Sequence, residues 1–263
     1  MEDREAGGIG FISGQWPLDP EKPTLVFIHG AALINIFWES QVKSLAEIAN
    51  TIAIDLPGHG TSRNPGKESI ADYAQSVMDF IGLINAPGPV IPCGLSMGGA
   101  ITQQLLIDNG DFFPAGIMMN TGARLKVMPA IFEAVEKDYG AFVKMLCDTA
   151  ISKKSDAEKL GVKIEEFTRC QPDVALGDFR ACDNFDVIEK LGLIGVPVLL
   201  LAANHDNITP FKYGTFLERN IKNARLVTIE DAGHLSPIEK PDKVSEAISD
   251  FLCQEVDKTR KLS

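Results

Sequence analysis

The sequence predicts an α/β fold, a mostly parallel sheet with helices on both faces and one helical insertion. Short apolar runs alternate with amphipathic runs along the chain, which favours a sheet covered on both sides. This alternation is interrupted once, between about residues 122 and 186. The 263 residues are 45% hydrophobic, enough to bury a large core. We therefore expect residues 1–121 and 187–263 to form the core and residues 122–186 to form a helical cap.

The expected strands are short apolar runs, most of them continuous, as in the middle of a parallel sheet. They are Ile9–Ile12, Leu25–Ile28, Thr51–Ile54, Val90–Cys93, Ile117–Met119, Val196–Ala202 and Arg225–Ile229. The expected core helices are Ser40–Ala49, Ser69–Asn85, Met97–Asn109, Phe211–Asn220 and Asp242–Gln254. The expected cap helices are Pro129–Tyr139, Ala141–Thr149, Ser155–Leu160 and Ile164–Cys170.

The most informative motif is Gly94-Leu95-Ser96-Met97-Gly98-Gly99, which joins a strand candidate to a helix candidate. At a tight strand-to-helix turn, side chains at positions 94 and 98 would collide with the neighbouring backbone, so glycine is needed there. The positive N-terminus of the following helix faces the place where an oxyanion would form. The motif therefore predicts Ser96 as a nucleophile.

A nucleophilic serine requires a base and an acid that orients it. His234 lies in the loop after Arg225–Ile229, and Asp206 lies in the loop after Val196–Ala202. Loops at the carboxyl ends of parallel strands meet above the same edge of the sheet. We therefore predict His234 as the base and Asp206 as the acid.

Two other residues compete for the role of the acid. Asn120 follows the strand candidate Ile117–Met119, but its side chain carries no negative charge. Asp231 is charged, but it is too near His234 in sequence to approach the imidazole from another strand. Asp206 remains the better candidate.

A second oxyanion donor is expected in the loop His29-Gly30-Ala31-Ala32. We predict that the backbone N–H groups of Ala31 and Met97 form the oxyanion hole. His29 is expected to hold the loop by hydrogen bonds. Since His29 and His59 have no cysteine or carboxylate at a recognised ligand spacing, we expect no metal, and we expect no cofactor.

The ordered motifs resemble those of the α/β-hydrolase superfamily, in the branch that contains carboxylesterases, enol-lactone hydrolases, carbon–carbon bond hydrolases and haloperoxidase-like esterases. The residues that carry the resemblance are His29-Gly30, Asp55-Leu56-Pro57-Gly58-His59-Gly60, Gly94 to Gly99, Asp206, Gly233-His234 and Glu239-Lys240-Pro241. The segment that begins at Asp55 is interpreted as scaffold. Members with an aspartate nucleophile, such as epoxide hydrolases, are excluded by Ser96.

The resemblance implies a serine hydrolase that cleaves small to medium acyl esters or lactones through an acyl-enzyme. Two alternatives remain open: a carbon–carbon bond hydrolase of a diketone-type substrate, and a low-turnover ligand receptor of the same fold. Within the cap, we expect Phe132, Phe142 and Met145 to contact the substrate. Arg63 and Arg124 could bind a substrate carboxylate, although solvated loop arginines are the more ordinary interpretation.

The expected partner is a small-molecule ester. The net charge of -11 disfavours nucleic acid and anionic membranes. The sequence has no apolar N-terminal run and none of bilayer-spanning length, and its five cysteines form no CxxC spacing. These features predict a reduced, cytoplasmic protein.

Overall fold

The computed structural model describes residues 1–260, and it describes their side chains except at positions 157, 159 and 255–260. Its strands are β1 (Asp3–Ala6), β2 (Ile9–Ser13), β3 (Thr24–Ile28), β4 (Asn50–Ile54), β5 (Val90–Leu95), β6 (Gly116–Met119), β7 (Val198–Ala203) and β8 (Ala224–Ile229). Its helices are α1 (Glu39–Ser44), α2 (Ile70–Ile84), α3 (Met97–Asp108), α4 (Pro129–Lys137), α5 (Tyr139–Ala150), α6 (Ala157–Phe167), α7 (Pro172–Asn184), α8 (Lys212–Asn220), α9 (Ser236–Glu239) and α10 (Pro241–Arg260). Short 3-10 helices span Asn35–Trp38 and Ile188–Leu193.

Within the described residues, the strands form one sheet in the order β1-β2-β4-β3-β5-β6-β7-β8. The first two strands pair antiparallel, and β2 pairs antiparallel with β4. From β4 to β8 every pairing is parallel. The predicted mostly parallel α/β sheet is therefore confirmed. Strand β1 was not predicted, because its sequence Asp-Arg-Glu-Ala is polar and lies at the sheet edge.

Both faces of the sheet are buried. Alternate side chains of one strand pack in two different hydrophobic clusters, one on each face. Val26 and Ile28 of β3 pack with α2 and α3. Leu25 and Phe27 of the same strand pack with α1 and α10. Successive side chains of a strand point to opposite faces, so burial on both sides requires an unbroken apolar run. This explains why the central strands can be predicted from sequence.

Helices α4 to α7 lie between β6 and β7, in the segment predicted to be a cap. The two helices predicted at Ser155–Leu160 and Ile164–Cys170 are one helix, α6, because a single glycine is tolerated inside a helix at a cost of about 1 kcal/mol. Helix α7 was missed. Its buried face includes Ala175, Asp178 and Cys182, so a carboxylate interrupts the apolar stripe. Among residues 1–260, no helix combines the length and apolar character needed to cross a membrane.

Candidate active site

Ser96 occupies a strained turn between β5 and α3. Its φ of 55° and ψ of -114° lie in a region that non-glycine residues seldom adopt. The Ser96 N–H donates a 2.9 Å hydrogen bond to the carbonyl of Met119 on β6, which fixes the turn against the sheet. A Cβ at Gly94 would collide with the carbonyl oxygen of Gly98, and a Cβ at Gly98 would collide with that of Ile28. Both glycines are therefore required by close backbone contacts.

Asp206 and His234 lie side by side in buried positions. The Asp206 Oδ2 atom is 2.8 Å from His234 Nδ1. The N–H groups of Ile208 and Thr209 donate to Asp206 Oδ1, and the Thr209 hydroxyl donates to Oδ2 at 2.7 Å. Burial alone would raise the pKa of Asp206, but His234 and these hydrogen bonds hold it below its usual value. The carboxylate is therefore ionised and accepts a hydrogen bond from the Nδ1–H group of His234.

The two alternative candidates for the acid, Asp231 and Asn120, do not contact the His234 imidazole. The Asp231 side chain is partly exposed and pairs with Lys154. Asn120 has a φ of 42° and lies behind the loop that carries His234. Its side-chain amide donates to the His234 carbonyl at 2.8 Å, and its Oδ1 accepts from the Ala203 N–H at 2.9 Å. Sequence reasoning missed this role of Asn120 in holding the His234 loop. The signal for it was a polar residue directly after the buried strand β6.

A second side chain holds the same loop through its backbone. Glu239 accepts the Gly233 N–H at 2.9 Å and the Ser152 N–H at 2.8 Å. Ser152 follows α5, so one carboxylate ties the His234 loop to the helical insertion. The position of His234 therefore depends on contacts from both parts of the chain.

His29 organises the loop that follows β3. Its Nε2 atom accepts the Leu56 N–H at 3.0 Å, so its proton resides on Nδ1, which donates to the Gly30 carbonyl at 2.8 Å. Burial lowers the pKa of His29 to about 3, which keeps the ring neutral. The ring thus holds the turn by hydrogen bonds, as the sequence predicts.

Among the described residues, the backbone N–H groups of Ala31 and Met97 have no hydrogen-bond acceptor. Met97 begins α3, and the first N–H groups of a helix have no intrahelical acceptor. The Ala31 loop lies beside the serine: a Cβ built on Gly30 would be 3.4 Å from the Ser96 Cβ. Two unused donors therefore lie close to Ser96.

Ser96, Ala31 and His234 line one cavity of about 70 Å³. Apolar side chains form its walls. They are Leu33, Leu95, Ile208 and Leu235 from the sheet side, and Phe142, Leu146 and Phe179 from α5 and α7. Apolar walls favour an uncharged organic substrate and exclude water from the reacting atoms.

Of the three cap residues expected to contact the substrate, one lies in the wall of the cavity at Ser96. Phe142 lines the cavity, but Phe132 and Met145 do not. Phe142 and Leu146 are four residues apart on α5 and share the face that meets the cavity. Met145 lies to the side of that face and packs on the apolar cluster of the insertion. The Phe132 ring stands 6.5 Å from that of Phe179, behind the wall.

The two arginines considered as carboxylate binders lie elsewhere. Arg63 pairs with Glu5 at 3.0 Å and its side chain is 79% exposed. Arg124 pairs with Asp186 at 3.3 Å and lines a separate cavity of about 440 Å³. Neither lines the cavity at Ser96, which agrees with the ordinary interpretation of surface arginines.

A parallel α/β sheet with a serine at a strained strand-to-helix turn, and a histidine–aspartate pair at its carboxyl edge, has the architecture of a hydrolase. The chain belongs to the alpha/beta hydrolase family, whose profile matches residues 25–247. This span contains Ser96, Asp206 and His234.

Two curated relatives are similar over most of their length. The chain is 28% identical over 237 residues to 3-oxoadipate enol-lactonase 1 of Acinetobacter baylyi, covering 88% of both proteins. It is 24% identical over 237 residues to the pimeloyl-[acyl-carrier protein] methyl ester esterase of Nitrosomonas europaea, covering 84% of the chain and 92% of that protein. The solved structure of a thermophilic esterase is 30% identical with a TM-score of 0.81, covering 97% of both chains. Family and relatives together make the chain a carboxylic-ester hydrolase.

Proposed function

We propose that the chain hydrolyses small to medium carboxylic esters or lactones through an acyl-enzyme formed on Ser96. One observation carries this proposal. Ser96 and His234 line the same apolar cavity, and Asp206 holds the far nitrogen of the imidazole at 2.8 Å. These contacts support nucleophilic catalysis by Ser96, with His234 as the base and Asp206 orienting it.

In the acylation step, the Ser96 Oγ attacks the carbonyl carbon while its proton moves to His234 Nε2. Asp206 stays ionised, accepts a hydrogen bond from the Nδ1–H group and stabilises the imidazolium that forms. The tetrahedral intermediate then expels the alcohol oxygen, which takes the proton back from His234. With a lactone, the alcohol stays attached to the acyl group.

The oxyanion of the intermediate is proposed to bind the N–H groups of Ala31 and Met97. These donors are part of the backbone and are already in place, so they need no reorganisation as charge develops. In deacylation, His234 Nε2 removes a proton from water, and the resulting hydroxide attacks the acyl carbon. Collapse of the second intermediate releases the carboxylic acid and returns the proton to Ser96.

The small volume of the cavity favours a substrate with a short acyl group. Its volume of about 70 Å³ is far below the roughly 300–1,000 Å³ typical of sites for drug-sized ligands. Phe142, Leu146 and Phe179 supply part of its wall, which supports the proposal that residues 122–186 act as a cap over Ser96.

The test is a substitution of Ser96 combined with a substrate panel. Ser96→Ala should lower kcat by roughly 10⁴-fold or more in a folded protein, with the residual rate from binding and the oxyanion hole. Ser249→Ala, on α10, is the matched control. A small alkylphosphonate should label the wild type on Ser96 and no other serine.

The panel contains nitrophenyl esters from acetate to octanoate, simple lactones and a vinylogous diketone. Turnover of the esters or lactones is the expected result. Near-normal turnover by Ser96→Ala would overturn the proposal. Cleavage of the diketone alone would identify a carbon–carbon bond hydrolase, and labelling without any turnover would identify a receptor.

A further inference from the structure

A buried carboxylate on α7 joins the insertion to the loop that carries Ala31. The Asp178 side chain is fully buried. Its Oδ2 atom accepts the Ala32 N–H at 2.8 Å and lies 2.9 Å from His59 Nε2. Its Oδ1 atom accepts the Tyr73 hydroxyl at 2.6 Å. Three separate parts of the core therefore converge on one residue of the insertion.

The hydrogen-bond pattern favours a charged His59. Its Nδ1 atom lies 3.1 Å from the carbonyl of Pro57, which can only accept, and its Nε2 faces the Asp178 carboxylate. Both nitrogens therefore carry protons. Burial alone would lower the pKa of His59, but the neighbouring carboxylate raises it well above its usual value. Removing either partner would leave a buried charge unpaired.

The other titratable groups near this pair come from separate parts of the chain. The His29 ring is 4.8 Å from the His59 ring and stays neutral because its pKa is lowered to about 3. Tyr73 of α2 keeps its proton, since burial and Asp178 raise its pKa. Cys170, before α7, also lies close to His59. Asp55, after β4, also interacts electrostatically with His59.

Asp178 acts on the peptide adjacent to the proposed oxyanion donor. Ala32 has a φ of 61°, a conformation that is strained for a non-glycine residue and persists only when surrounding contacts enforce it. The Asp178 bond to the Ala32 N–H is such a contact. Because the Ala31 N–H belongs to the preceding peptide, the same contact limits where that donor points.

Helix α7 also forms part of the substrate cavity. Phe179, next to Asp178 in sequence, lines the cavity at Ser96. The helix packs closely on the loop after β4: a Cβ on Gly177 would lie 2.7 Å from the Lys67 carbonyl oxygen. One turn of α7 therefore contacts the substrate cavity on one side and the oxyanion loop on the other.

We propose that Asp178 is a positioning residue, which couples the α7 wall of the substrate cavity to the loop that supplies the Ala31 oxyanion donor. The inference rests on the proposed function, since it assigns Asp178 a role in the same reaction. Its loss should reduce stabilisation of the transition state while substrate binding in the apolar cavity is retained. The effect should therefore fall on kcat and not on KM.

The experiment compares Asp178→Ala, Asp178→Asn and Arg180→Ala, an exposed neighbour on α7. Sites are counted by titration with the phosphonate, so unfolded protein does not enter the rate. Asp178→Ala should lower kcat per titrated site about 10- to 100-fold, the scale for a misplaced catalytic group, with KM within about 2-fold. The affinity for an aryl trifluoromethyl ketone, whose adduct places an oxyanion in the hole, should fall by a similar factor.

Asp178→Asn keeps an oxygen acceptor for the Ala32 N–H and should therefore lose less kcat than Asp178→Ala. Arg180→Ala should match the wild type. A purely structural role would reduce the titratable fraction and leave kcat per site and ketone affinity unchanged, which would overturn the inference. If Ser96→Ala retains turnover, the proposed function itself fails. If Ser96→Ala is inactive and the Asp178 variants keep full kcat per site, this inference alone fails.

Discussion

The side-chain amide of Asn120 donates a 2.8 Å hydrogen bond to the backbone carbonyl of His234. Asn120 stands directly after β6, and His234 lies more than a hundred residues later, after β8. The same amide donates to the Ser236 hydroxyl at 2.9 Å. An amide suits this place because it donates to the histidine loop and accepts from Ala203 of β7, which a carboxylate cannot do while ionised.

Replacing Asn120 by aspartate should destabilise the protein in a pH-dependent way. Above the pKa of the new carboxyl, its negative charge would face the His234 carbonyl, at a cost of about 2–3 kcal/mol of unfolding free energy. The protonated form can donate, so the folded state raises this pKa and the destabilisation diminishes as pH falls. Urea denaturation of variant and wild type at pH 8 and pH 5.5 measures the difference. Asn120→Gly, which keeps the positive φ, should show no such pH dependence.

Asp206→Asn should reduce ester hydrolysis far more than Asp231→Asn. Of the two aspartates, it is Asp206 that contacts His234. An asparagine amide there would favour the wrong tautomer of the imidazole, a change worth about 10⁴-fold in kcat in serine proteases. Asp231 pairs with Lys154 on the surface, where one ion pair contributes little. Steady-state kinetics of both variants, with circular dichroism to check folding, decide the matter. A larger loss from Asp231→Asn would show that the acid is assigned wrongly.

Phe142→Leu should shift chain-length preference towards longer acyl groups. Phe142 is part of the cavity wall, and each methylene in an apolar pocket changes kcat/KM by about 10-fold or more. Phosphonate labelling of Ser96 needs little of that wall, so its rate should change less than about 3-fold. Phe132→Leu is the matched control, since Phe132 does not line the cavity. Equal loss of hydrolysis and labelling in Phe142→Leu would argue against a specificity role for this wall.

His59 should be doubly protonated at neutral pH while His29 stays neutral. Because the folded pKa of His59 exceeds its ordinary value of 6.5, its pairing with Asp178 stabilises the protein fully below that pH. This contribution is lost as pH rises through the folded pKa. Nitrogen-15 imidazole spectra at pH 7.5 should show two N–H groups on His59 and one, on Nδ1, for His29. His59→Gln assigns the signals, and a neutral His59 would contradict the buried ion pair.

Local sequence signals indicated which segments form the central strands and that Ser96, Asp206 and His234 lie just beyond strand ends. Ser96 directly follows β5, and Asp206 and His234 lie in the short loops after β7 and β8. Parallel strands bring their carboxyl ends to one edge of the sheet. Gly94 acts locally, because its contact is with the carbonyl of Gly98 at the start of α3, whereas Gly98 is required by the Ile28 carbonyl on the neighbouring strand β3. Such features could be predicted because the physics that requires them acts within a few residues or follows from strand direction.

Only the tertiary structure decided which distant side chains support these residues. Asn120 was considered as an acid and rejected, but its contact with the His234 carbonyl depends on how β6 and the last loop pack. Helix α7 was missed because Asp178 breaks its apolar stripe, and the partners that make a buried carboxylate tolerable come from the loop after β3, the loop after β4 and α2. Hydrogen bonds between residues a hundred positions apart leave no periodic pattern in the sequence, since each partner satisfies the other only once the chain is folded.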